Sequence, residues 1–107
     1  MNILEIPTVS EAEYKQLEHA GVFVVVFTAH WNAPGQRMVE ELMKVKDKVA
    51  EKAKIVKVDI EETPEIPINL KISTYPTTLI FSKGDLKENL IGVVSEQKIC
   101  NLIDSLI

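Results

Sequence analysis

The chain has 107 residues, 46% of them hydrophobic and 26% charged, which suits one domain with an ordinary core and leaves no room for a second. A net charge of −4 gives no general attraction to nucleic acid or to an anionic membrane, and the longest apolar stretch is far below the roughly 20 residues that span a bilayer. The single cysteine, Cys100, excludes both an internal disulfide and a dithiol redox cycle within one chain.

Residues 2 to 6 alternate loosely and end at Pro7, which predicts a short edge strand. The start, Met1-Asn2-Ile3-Leu4-Glu5, has no basic region followed by an apolar one, so a cytoplasmic chain without a signal peptide is expected. Ser10 followed by Glu13 fits a capping box, and Ala12, Tyr14, Leu17 and Ala20 supply the inner face of a first helix that Gly21 ends. Val22 to Phe27 is a continuous, β-branched apolar run, the pattern of a strand covered on both faces.

That run breaks at Trp31-Asn32-Ala33-Pro34-Gly35, where Asn32 can cap a helix and Pro34 fits its first turn. The helix is predicted from about Ala33 to Ala53, with Met38, Leu42, Val45 and Val49 as its buried stripe. Ile55 to Ile60 reads as a strand joined to the central one through a helix, and therefore parallel to it. Thr63-Pro64 can start a helix, which Pro67 limits to about one turn around residues 66 to 71. Thr77 to Phe81 and Glu88 to Val93 are predicted as a hairpin about Lys83-Gly84-Asp85, and Ser95 caps a last helix with Ile99, Leu102, Ile103 and Leu106 inward. The whole of residues 1 to 107 reads as a single domain.

The segment Trp31-Asn32-Ala33-Pro34-Gly35 resembles the active-site loop of the thioredoxin family, which reads Trp-Cys-Gly-Pro-Cys after the same kind of strand. Thr74-Tyr75-Pro76-Thr77 resembles that family's cis-proline loop, Phe81 to Asp85 its hairpin turn, and Ile91-Gly92-Val93 the end of its last strand. Pro64 and Lys57 also stand where many thioredoxins have Pro and Lys, so the likeness covers essentially the whole chain. It implies an α/β thioredoxin fold, a central mixed sheet flanked by helices in the order βαβαββα.

Both family cysteines are missing, with Asn32 and Gly35 in their places. A thioredoxin depends on a thiol at a helix N-terminus, where the macrodipole lowers its pKa, and on a second thiol that resolves the mixed disulfide. No catalytic residue is therefore expected. Val26 stands where many thioredoxins bury an Asp, and Glu40 where many have a kinking proline, so a straighter helix is expected. Lys57, often the partner of that Asp, otherwise reads as an ordinary strand lysine.

What the resemblance leaves is a surface that grips extended polypeptide: Trp31, Ala33, Pro34, Ile60, Tyr75, Pro76, Ile91, Gly92 and Val93 occupy the matching positions. Trp and Tyr are enriched in binding hot spots. The reading is a redox-inactive protein-binding or adaptor module with a polypeptide partner and without cofactor or metal. Two alternatives stand beside it: a monothiol oxidoreductase acting through Cys100, and a structural homodimer that buries the same surface. His30, beside Trp31, reads as a solvated loop histidine.

Overall fold

In the computed structural model, which describes residues 6–17 and 21–107, seven buried residues of one strand run through the middle of the molecule. This strand, β1 (Val22–Thr28), follows helix α1 (Glu11–Leu17). Its side chains alternate between two cores. Val22, Val24 and Val26 face one, and Phe23, Val25 and Phe27 the other. The unbroken apolar run is thus the signature of a strand with no wet face.

The capping box forms as expected: Ser10 N–H donates to Glu13 Oε1 at 3.1 Å, and Glu13 N–H to Ser10 Oγ at 3.3 Å. Ala20, expected on the inner face of this helix, lies outside the described residues. So do residues 2 to 5 of the predicted edge strand. Parallel pairing at that sheet edge occurs just after them, with Lys57 N–H donating to Pro7 O at 2.9 Å and Val9 N–H to Lys57 O at 3.0 Å.

From β1 onward the order is βαβαββα: α2 (Ala33–Val49), β2 (Ala53–Asp59), α3 (Glu65–Asn69), β3 (Thr77–Ser82), β4 (Asp85–Ile91) and α4 (Glu96–Leu106). The four strands lie in the order β2-β1-β3-β4, with β1 parallel to β2 and the other pairs antiparallel. The sheet is mixed. Several predicted boundaries move by one to four residues, two of them for a visible reason. Helix α2 stops at Val49, and a 3-10 turn over Ala50–Lys52 releases Ala53 to pair with Val22 as the first residue of β2. Strand β4 begins at Asp85 rather than Glu88, because the connection is only Lys83-Gly84, both at positive φ as a two-residue hairpin turn requires.

Helices α2 and α4 cover the first core with Met38, Leu42, Val45, Ile99 and Ile103. Helices α1 and α3 cover the second with Tyr14 and Ile66. In the second core the Tyr14, Phe23 and Phe81 rings meet at centroid distances of 5.7 to 6.4 Å. Ser95 Oγ accepts from Lys98 N–H at 3.3 Å and caps α4 as expected. The first N–H of α4, on Glu96, donates to Glu41 Oε1 at 2.8 Å, while Lys48 reaches Glu96 at 2.9 Å. These contacts fix α4 against α2. The start of α2 follows Thr28 by a four-residue turn and so lies at the carboxyl end of β1, where Ile60 N–H donates to Thr28 O at 3.0 Å.

Candidate functional site

Strand β1 ends at Thr28, and four residues turn the chain into α2. Asn32 governs this turn. Its Oδ1 accepts from Gly35 N–H, capping the helix, and its Nδ2 donates to Tyr75 O at 3.4 Å. The two contacts fix the amide orientation, since a flip would set its NH2 against an N–H and its oxygen against a carbonyl. The residue in the first cysteine position therefore joins the helix turn to the loop before β3.

Gly35 is closed in another way. A Cβ at this position would lie 1.8 Å from Thr28 Oγ1 and 3.0 Å from Thr28 Cβ. Thr28 is buried and β-branched, so its side chain cannot simply swing clear. The space a second cysteine would need is occupied by Thr28. Thr28 was not singled out from the sequence, where it reads as the end of an apolar run. Its role depends on a contact that only the turn creates.

Trp31 remains outside, 58% exposed, with its indole Nε1 donating to Glu61 Oε1 at 2.9 Å. His30 Nδ1 lies 3.5 Å from the same oxygen. Glu61 is another residue the sequence reading missed, thirty positions away and without a motif. It is positioned by Asp59, whose Oδ1 accepts the Glu61 and Glu62 N–H groups at 2.8 and 3.3 Å.

The other expected site residues divide. The Tyr75-Pro76 peptide bond is cis, and Pro76 O accepts from Gly92 N–H at 2.9 Å, joining this loop to the end of β4. Asn32, Tyr75, Pro76 and Gly92 are thus linked in sequence across one end of the sheet. Trp31, Ala33, Pro34, Ile91 and Val93 are exposed there. Ile60 and Tyr75 pack in part against the second core, with Tyr75 OH donating to Ile72 O at 3.2 Å. Pro76 is buried. These last three shape the surface more than they present one.

Val26, in place of the family's acid, is fully buried and pairs in register with Lys57 on β2 and Thr78 on β3. Thr78 Oγ1 is buried and has no hydrogen-bond partner among the described residues. Lys57 is half-buried and lines a cavity of about 260 Å³, together with Thr28, His30, Gln36, Asp59 and Glu62. Cys100 lies in α4, half-buried against the first core. Burial pushes its thiol pKa up, and nearby Lys48 offsets this only in part. A monothiol nucleophile needs the opposite shift. Among the described residues no group of three or more His, Cys, Asp or Glu side chains could hold a metal ion, and no helix is long and apolar enough to cross a membrane.

The family model described as Thioredoxin matches residues 5–105. The chain belongs to the thioredoxin family. It is 27% identical over 99 residues to Thioredoxin of Listeria monocytogenes, covering 92% of this chain and 96% of the relative. It is 28% identical over 98 residues to Thioredoxin 1 of Synechococcus elongatus, covering 90% and 92%. A mutant thioredoxin from Halobacterium salinarum superposes with a TM-score of 0.85 at 21% identity, over 99% of this chain and 94% of that one. Oxidized mitochondrial thioredoxin 3 from Saccharomyces cerevisiae gives 0.82 at 24% identity, over 94% and 95%. The last two likenesses establish the fold. Within that fold this chain carries one cysteine, and it is not at the helix N-terminus.

Proposed function

We propose that this thioredoxin-family chain is a non-redox module that binds extended polypeptide at the surface carrying Trp31, Ile91 and Val93. The observation that carries the reading is the double replacement at the thiol positions. Asn32 is committed to two internal hydrogen bonds, and Gly35 lies under Thr28. No sulfur can attack from either place. The neighbouring indole, by contrast, is held open by Glu61 with most of its surface in water.

The test compares wild type with a Trp31→Ala/Ile91→Ser variant in affinity capture from source-cell extract, with and without reductant, beside a disulfide-reduction assay. Both changes are at exposed positions, so folding stability is expected to move by about 1 kcal/mol at each, through the lost Glu61 hydrogen bond and the weaker strand propensity of Ser. Wild type should capture a defined protein in either redox condition, the variant should lose it, and neither should reduce disulfides. Measurable dithiol-driven turnover, or capture that reductant abolishes, would overturn the reading.

A further inference from the structure

The rim of the Trp31 surface is acidic on one side. The segment from Asp59 to Glu65 holds Asp59, Glu61, Glu62 and Glu65 and no Lys or Arg. Glu61 uses a single oxygen for both Trp31 and His30, which leaves Oε2 without a partner among the described residues. The exposed Glu62 carboxylate has no side-chain partner there either. Asp59 and Glu62 continue the same charge into the neighbouring cavity, where the half-buried Lys57 is the opposing cation. A carboxylate at the edge of an exposed indole, with a second exposed one next to it in sequence, suits a cation, which gains from both charge and the ring face.

Resting on the binding reading above, we propose that the partner segment is basic: an extended stretch whose apolar side chains meet Trp31, Ile91 and Val93 and whose Lys or Arg reaches Glu61 and Glu62. The charge disfavours a second copy of this chain as occupant. Two copies that each carry a net charge of −4 repel one another. An acidic partner meets the same repulsion.

The test uses short synthetic peptides with a central Leu-Val pair flanked on both sides by Arg, Gln or Glu, followed through the fluorescence of Trp31, the only tryptophan. Arg-flanked peptides should bind about tenfold more tightly than Glu-flanked ones at low salt, with the ratio shrinking as salt rises. A Glu61→Gln/Glu62→Gln variant, which keeps an acceptor for the indole, should bring the ratio close to one. Equal affinities for all three peptides, a preference for Glu, or a preference that survives in the variant overturns the charge inference and leaves the binding module standing. If no peptide of any charge binds, both fall.

Discussion

The two sides of the Trp31 turn differ in what their residues do. The former thiol positions face inward: Asn32 holds the turn to the Tyr75 loop, and Gly35 makes room for Thr28. One residue before them, Trp31 faces water, and Ile91 and Val93 across the sheet end are 65% and 43% exposed. Asn32 and Gly35, at the positions of the family's thiols, serve the structure of the turn, whereas Trp31, Ile91 and Val93 lie outside. With no thiol at either position, the exposed part of the surface is still in place.

The sharpest way to break that contrast is to put a side chain back at position 35. Gly35→Ala should destabilise the fold by about 1–3 kcal/mol in denaturant titration, despite the better helix propensity of Ala, because Thr28 must be displaced. Adding Thr28→Ala should return much of the loss, and a double-mutant cycle with no coupling would refute the clash. At the other former thiol, Asn32→Ala should cost about 1–2 kcal/mol through the lost cap. Asn32→Asp separates its two contacts, since a carboxylate can still accept from Gly35 N–H but cannot donate to Tyr75 O.

A smaller effect, of opposite sign, is expected at Thr78. Replacement by Val removes a buried hydroxyl that has no partner among the described residues and should stabilise by about 1 kcal/mol. An unchanged or lower midpoint would mean that the hydroxyl finds a partner in solution. The least effect belongs to a control remote from the turn, Glu41→Gln. The Glu96 backbone N–H and then Lys44 hold the Glu41 pKa below its ordinary value, so the carboxylate binds its proton less readily folded than unfolded. Its contribution is present above the ordinary glutamate range and is lost as pH falls through the lowered folded value. Thermal midpoints of wild type and variant should therefore differ at neutral pH and converge in acid.

The elements were legible because they rest on patterns local to the sequence, such as the apolar run of β1, the stripe of α2 and the Ser10 and Ser95 caps, while the family was legible through the likeness of segments 31–35 and 74–77. The misplaced boundaries have physical causes. Ala53 extends the spacing of Val45 and Val49 and so reads as helix, yet its pairing with Val22 outweighs that pattern. Asp85, Leu86 and Lys87 are all exposed on an edge strand, so no inward and outward alternation announces them. At the candidate site, Trp31, Ile91 and Val93 were named because they match positions of the family's binding surface, and all three are exposed. Thr28 and Glu61 were not, because the first acts through a missing side chain and the second through a contact between distant segments.

Strand β4 has one further consequence. Its pairing with β3 slips by one residue between Ile80 and Phe81, so that Glu88 and Leu86 face consecutive partners and Lys87 is left over. A bulge of this kind twists the outer rim of the sheet, and Asp85, Lys87 and Glu88 set charges along it. A flat, uncharged rim would template sheet growth from molecule to molecule. The bulge and the charges on this rim work against such growth along β4.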